Sequence, residues 1–81
     1  MYKILVIEDE ISVRQNLCEL LTYEDFDVIA AENGRIGVQL AQQEIPDLVI
    51  CDVMMPELDG HGVLNILRQQ PTTATIPLIF L

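Results

Sequence analysis

Residues 46–60 read PDLVICDVMMPELDG, an apolar run followed by an acid and a loop rich in turn-forming residues. The apolar run, 48–51, is continuous rather than alternating, which is typical of a strand covered on both faces of a parallel sheet. Asp52 ends this run, and Pro56 and Gly60 mark the loop that follows. The segment therefore predicts a buried parallel strand whose carboxyl end carries an acidic side chain.

The rest of the chain alternates strands and helices around this segment. Three further apolar runs read as strands, at residues 4–7, 28–31 and 77–81. Three stretches with helical spacing of apolar residues lie between the strands, at residues 11–21, 34–43 and 61–70. Each crossover is long enough for a right-handed parallel connection, so the order predicts an α/β fold with helices on both faces of the sheet. Because the last apolar run has no helix after it, we expect residues 1–81 to be the first part of a longer domain.

The composition excludes several classes of function. Thirteen acidic residues against four Lys and Arg give a net charge of −9. A surface of this sign repels phosphate backbones, so we expect no direct binding to nucleic acid. No apolar run approaches the ~20 residues that cross a bilayer, and the N-terminus lacks the apolar region of a signal peptide. We therefore expect a cytoplasmic protein without a membrane segment, in which Cys18 and Cys51 are free buried thiols.

Acidic side chains follow two of the predicted strands. Glu8 and Asp9 come directly after the first strand, and Asp52 follows the third. Ligands of open parallel sheets bind outside the carboxyl ends of the strands, so these acids would converge if the two strands are neighbours. Singly, each acid could be a helix cap, a solvated strand end or a turn residue. Their shared position at one edge favours a cation site, and Mg²⁺ is the hard ion that carboxylate oxygens suit.

The segments 4–10 and 46–60 resemble the receiver domain of two-component response regulators. The resemblance covers the whole chain, in order and with the expected spacing. It implies a flavodoxin-like doubly wound parallel sheet, a three-layer α/β/α sandwich with strand order 2-1-3-4-5, here truncated after the fourth strand.

The resemblance also implies a role for each acid. Asp52 would be the phosphoacceptor, taking a phosphoryl group from a sensor histidine kinase, a phosphotransfer protein or a small phosphodonor. Asp9, Asp52 and the backbone carbonyl of Met54 would bind Mg²⁺, and Glu8 would act through a water. The residues that would shape the rim of the pocket are Met55, Pro56, Asp59 and Gly60.

The family resemblance implies a regulatory phosphoacceptor rather than an enzyme, with its output outside this chain. In the family, a Ser or Thr after the fourth strand and a Lys after a fifth contact the phosphoryl group, and neither has a counterpart in these 81 residues. We therefore expect this polypeptide to accept phosphate poorly and not to signal. A homodimer is compatible with the family, although the later helices supply the surface that most members use.

Two other functions stay open. A Mg²⁺-dependent phosphohydrolase with an aspartyl nucleophile would carry a second Asp two residues after the first, but Met54 stands two residues after Asp52. An interaction module could keep the fold without using phosphorylation, although the acidic trio argues against it. His61, the only histidine, lies between two glycines and is expected to be a solvated surface residue rather than a phosphotransfer group.

Overall fold

Strands and helices alternate along the whole chain in the computed structural model, which describes residues 1–81. The elements are β1 (Lys3–Ile7), α1 (Ile11–Tyr23), β2 (Asp27–Ala31), α2 (Gly34–Glu44), β3 (Leu48–Cys51), α3 (Gly60–Arg68) and β4 (Leu78–Phe80). Every element begins and ends within two residues of its predicted bounds. The predicted alternation is confirmed.

The four strands form one parallel sheet in the order β2-β1-β3-β4. β1 and β3 are therefore neighbours at the centre of the sheet, with Ile7 opposite Cys51. Ile7 also pairs with Ala31 of β2 on its other side. This is the doubly wound, flavodoxin-like arrangement that the family resemblance implies, and it brings the carboxyl ends of the two central strands together.

The larger part of the core lies on the face covered by α2 and α3. Eleven buried residues form it: Leu5, Ile7, Ala31, Val38, Ala41, Val49, Cys51, Met55, Val63, Leu67 and Ile76. Helical spacing places Ile36 and Leu40 partly off the core side of α2. In the structure both side chains are half-buried and pack against this core.

The opposite face is covered by α1 alone. Its buried cluster contains only Ile4, Val6 and Ile50, with partly buried neighbours that include Leu17 and Leu21. The sequence pattern places Val13 and Leu20 on the same inner side of α1, but they stay 44% and 58% exposed. The strip of α1 that contacts the sheet is narrower than the apolar side of this helix, so part of the apolar side remains exposed to solvent.

All three helices begin at the carboxyl edge of the sheet, where a polar side chain caps each one. Glu10 accepts hydrogen bonds from the first-turn amides of α1, Asn33 accepts from the amide of Ile36 in α2, and Asp59 does so from Gly62 in α3. Such caps satisfy amides that lack a partner within the helix. They hold the loops that surround the strand ends in defined conformations.

Candidate functional site

Three carboxylates meet at the carboxyl edge of the two central strands. The amide of Glu8 donates to the carbonyl of Ala31 at 3.1 Å, and the amide of Asp52 donates to the carbonyl of Ile7 at 2.9 Å. The parallel ladder thus continues one residue beyond β1 and β3 and fixes the backbone of both acids. One carboxylate oxygen from each of Glu8, Asp9 and Asp52 lies within 4.8 Å of the others. We call these three residues the acidic cluster.

No basic side chain forms a salt bridge with the acidic cluster. The two salt bridges of the chain, Lys3–Glu44 and Arg35–Glu57, involve none of its members. Glu8 is only 4% exposed, Asp9 is exposed and Asp52 is half-buried. Burial raises the pKa of Glu8, and the nearby acids raise it further, whereas the hydrogen bond from the Glu10 amide opposes the rise.

The turn between β1 and α1 gives Glu10 a structural role distinct from that of its two acidic neighbours. Its carboxylate accepts hydrogen bonds from the amides of Ser12 at 3.2 Å and Val13 at 3.3 Å. Hydrogen bonds from the Ser12 side chain and amide lower the pKa of Glu10. Its own amide donates to the Glu8 carboxylate at 2.9 Å. Glu10 therefore caps α1 and orients Glu8.

The loop between β3 and α3 closes tightly behind Asp52. The amide of Gly60 donates to the carbonyl of Val53 at 2.9 Å, and a Cβ at position 60 would lie 2.5 Å from the carbonyl oxygen of Asp52. Only glycine allows the start of α3 to approach this closely. The family resemblance implies that Gly60 shapes the pocket rim, and in the structure Gly60 lies directly against the backbone of Asp52.

The other loop residues singled out from the sequence have different surroundings. Met55 is buried in the core and anchors the loop, whereas Pro56 and Asp59 are exposed. Met54 is 81% exposed. A side-chain role for Met54 has no support in this geometry.

A strained turn lies at the outer side of the same loop. Glu57 has a φ of 68°, and the amide of Leu58 donates to the carbonyl of Pro56 at 2.8 Å, which is a γ-turn. The start of α2 packs against it, because a Cβ on Gly34 would lie 2.5 Å from the carbonyl oxygen of Leu58. The pair Asn33-Gly34 is a turn or helix-start signal in the sequence, and α2 does begin at Gly34, but that signal does not reveal this close approach.

One contact at the site was not anticipated. Nη1 of Arg14 donates a hydrogen bond to the backbone carbonyl of Glu8 at 2.8 Å. Arg14 lies four residues after Glu10 in α1, on the side of the helix where a side chain can reach back to the turn. That spacing was the available signal, although it cannot specify a backbone acceptor.

The thiols and the histidine take no part in the acidic cluster. Both cysteines are free, as predicted, and Cys51 is buried whereas Cys18 is only partly so. Burial, reinforced by the charge of Asp52, raises the pKa of Cys51 to about 12, so this thiol stays protonated. His61 is exposed, and its ring centroid lies 5.0 Å from that of Phe80.

Comparison with known proteins assigns the chain to a family. The family model "Response regulator receiver domain" matches residues 4–81, so the chain belongs to the receiver domains of response regulators. The "Probable transcriptional regulator ycf27" of Porphyra purpurea is 44% identical over 79 residues, which cover 98% of this chain and 31% of that protein. The chain thus spans about a third of the length of this relative.

Solved structures agree with the family assignment. The chemotaxis protein CheY4 of Vibrio cholerae superposes with a TM-score of 0.94 at 31% identity, over 99% of this chain and 67% of that one. The receiver domain of a signal transduction histidine kinase from Syntrophus aciditrophicus gives a TM-score of 0.93 at 36% identity, over 100% and 61%. Receiver domains are regulatory modules that work with histidine kinases or phosphotransfer partners. No helix of this structure has the length and apolar character needed to span a bilayer.

Proposed function

We propose that this chain is a phospho-accepting receiver module and that Asp52 is its phosphoacceptor. A carboxylate oxygen of Asp52 attacks the phosphorus atom of a phosphohistidine on a partner protein, forming an O–P bond as the P–N bond breaks. The electron pair of the broken bond returns to the imidazole nitrogen. The observation that supports this proposal is the meeting of three carboxylates, unpaired with any cation, at the carboxyl edge of the sheet.

Asp52 is the member of the acidic cluster best suited to act as the nucleophile. Glu8 is buried, and its carboxylate is engaged by the amide of Glu10. Asp52 is half-buried, which leaves its carboxylate within reach of a partner while the surrounding protein limits its motion. The amide of Asp52 donates a hydrogen bond to the carbonyl of Ile7, and Gly60 lies against the carbonyl of Asp52. The backbone of Asp52 is therefore held on both sides, as a nucleophile that needs a defined direction of attack requires.

The acidic cluster also fits the Mg²⁺ ion that the family resemblance implies. A magnesium site needs oxygen ligands that are close enough to bind the same ion, and it needs negative charge. The three carboxylates of the acidic cluster provide both. Asp9, Asp52 and the backbone carbonyl of Met54 would hold the ion directly, and Glu8 would do so through a water. When bound, the ion supplies neutralisation of the charge on the phosphoryl group during transfer.

The proposed partners are a sensor histidine kinase or a phosphotransfer protein. With a net charge of −9, the chain favours a basic partner surface and disfavours direct binding to DNA. We accordingly propose a cytoplasmic regulatory role without turnover of a substrate, in which the output lies outside these residues. A homodimer is compatible with this role.

Phosphoryl transfer from acetyl phosphate tests the proposal. The chain is incubated with acetyl phosphate, with and without Mg²⁺, and the site of phosphorylation is mapped by mass spectrometry after borohydride trapping. We expect slow labelling that needs Mg²⁺, occurs at Asp52 and disappears in Asp52→Asn. The matched control is Asp47→Asn, which removes an acid at the opposite end of β3 and should label like the wild type. Labelling that persists in Asp52→Asn, or that ignores Mg²⁺, would contradict the proposal.

A further inference from the structure

Arg14 is the one basic residue that contacts the turn carrying the acidic cluster. Its Nη1 atom lies 2.8 Å from the carbonyl oxygen of Glu8, and the side chain is partly buried. The amide of Arg14 donates to the carbonyl of Glu10 at 3.0 Å, so the residue belongs to the first turn of α1. The other three basic residues bond elsewhere: Lys3 to Glu44, Arg35 to Glu57, and Arg68 to the carbonyls of Ala74 and Ile76.

Glu8 is the residue at which the chain leaves the sheet. Its amide still follows the ladder to Ala31, and its carboxylate accepts from the amide of Glu10. Its carbonyl lies beyond the paired residues of β1, and no backbone amide donates to it. The guanidinium of Arg14 supplies the missing donor, so every polar group of Glu8 has a partner.

The Glu8 carbonyl and the Asp9 amide belong to the same planar peptide unit. A donor that fixes the direction of this carbonyl therefore fixes the direction in which Asp9 leaves the turn. Asp9 is exposed, and no hydrogen bond holds its backbone in place. Its orientation thus depends on the peptide that precedes it.

We infer that Arg14 is a positioning residue, whose guanidinium holds the Glu8–Asp9 peptide so that the Asp9 carboxylate faces those of Glu8 and Asp52. The inference rests on the proposed role of Asp9 in Mg²⁺ binding. The planar guanidinium of Arg14 presents its Nη1 donor to the carbonyl in a more defined direction than the flexible ammonium of Lys would. Groups that orient a metal ligand from behind typically change metal affinity about 10–100-fold when removed.

A purely electrostatic effect of Arg14 would act in the opposite direction. A positive charge beside the cluster repels a second cation, so its removal alone would strengthen Mg²⁺ binding. The loss of positioning weakens it. The sign of the change in Mg²⁺ affinity therefore separates the two roles.

Calorimetric titration of the 81-residue chain with MgCl₂ tests the inference. We expect Arg14→Gln to weaken Mg²⁺ binding about 10-fold, and Arg14→Lys, which keeps the charge but not the planar guanidinium, about 3-fold. Arg35→Gln is the matched control, because it removes the same charge from a highly exposed position paired with Glu57, and its affinity should stay within about twofold of the wild type.

The results distinguish failure of this inference from failure of the proposed function. If the wild-type chain binds no Mg²⁺, the proposed metal site is wrong. If the wild type binds Mg²⁺ and Arg14→Gln binds it equally or more tightly, the positioning role is wrong. If amide NMR spectra show that Arg14→Gln is unfolded, Arg14→Lys decides: weaker binding at unchanged charge supports positioning, and wild-type affinity overturns it.

Discussion

The two edges of the sheet treat their acidic side chains in opposite ways. At the amino edge, the ammonium of Lys3 lies 2.9 Å from Glu44, and Asp47 accepts the amide of Lys3 at 2.7 Å. The hydrogen bond to Glu44 raises the pKa of Lys3. At the carboxyl edge, the three carboxylates of the acidic cluster lie within 4.8 Å of one another without an ion pair. Glu44 and Asp47 link neighbouring elements and have Lys3 as their partner. The carboxylates of the acidic cluster have no such ion pair, so they are available to a ligand.

Replacing one acid at each edge gives the largest contrast in Mg²⁺ affinity. We expect Asp9→Asn to weaken Mg²⁺ binding about 100-fold or more, because a direct ligand matters at least as much as the groups that orient it. Asp47→Asn, at the amino edge, should leave the affinity unchanged. Titration calorimetry measures both. Equal losses in the two variants would show that the net charge, and not a defined site, attracts the ion.

The tight closure of the loop behind Asp52 predicts a stability difference between two neighbouring glycines. Gly60→Ala should cost about 1–3 kcal/mol in free energy of unfolding, because the new methyl group would lie 2.5 Å from the backbone carbonyl of Asp52. Gly62→Ala is the control, since its nearest obstacle is the mobile end of the Leu58 side chain. Urea denaturation followed by circular dichroism measures both, and similar costs would contradict the close backbone packing.

Removing the buried charge at the carboxyl edge should stabilise the metal-free chain. Glu8→Gln keeps an oxygen for the Glu10 amide but no longer repels Asp9 and Asp52, so we expect a gain of about 1 kcal/mol at neutral pH. Glu44→Gln, at the amino edge, should instead lower stability slightly because the ion pair with Lys3 is lost. Thermal unfolding in the absence of Mg²⁺ gives both values.

The pH dependence of this gain follows from the raised pKa of Glu8. In the folded state the side chain binds its proton more tightly than in the unfolded chain. The stability that this tighter proton binding provides is fully present below the ordinary pKa of a Glu side chain. It is lost as the pH rises through the raised pKa of Glu8 in the folded state. The advantage of Glu8→Gln should therefore appear as the pH increases through that range. An advantage that is independent of pH would show that charge is not its cause.

The smallest expected effect concerns a strained backbone position at the amino edge. Ile45 follows α2 with a φ of 44°, a left-handed conformation that β-branched residues adopt at a cost. Ile45→Asn should stabilise the chain by about 0.5 kcal/mol, because Asn adopts this conformation at a lower cost and the Ile45 side chain that is lost is exposed. Ile45→Val keeps the strain and should give no gain in the same denaturation assay.

The sequence predicted the elements well because their signals are local. Continuous apolar runs define the strands, and Pro46 and Pro71 limit the helices before them, so the bounds differ by at most two residues. The exposure of Val13 and Leu20 was not predictable from α1 itself. It depends on how many helices cover that face of the sheet, which is a property of the whole fold.

The site was predictable only in part, for a similar reason. The acids could be assigned to strand ends from local patterns, but their convergence requires β1 and β3 to be neighbours, which the local patterns leave open. The contact between Arg14 and the Glu8 carbonyl joins a side chain to a backbone atom across a turn. The approach of Gly60 to Asp52 joins two backbones. Neither leaves a residue pattern specific enough to be recognised without coordinates.

The most direct test of the difference between the two edges is a Mg²⁺ titration of the wild-type chain followed by amide NMR. Unpaired carboxylates at the carboxyl edge predict saturable shifts of the amides at residues 8–10 and 52–54, with little change around Glu44 and Asp47. Shifts centred on the amino edge, or changes spread over all acidic residues without saturation, would contradict a defined cation site at the ends of β1 and β3.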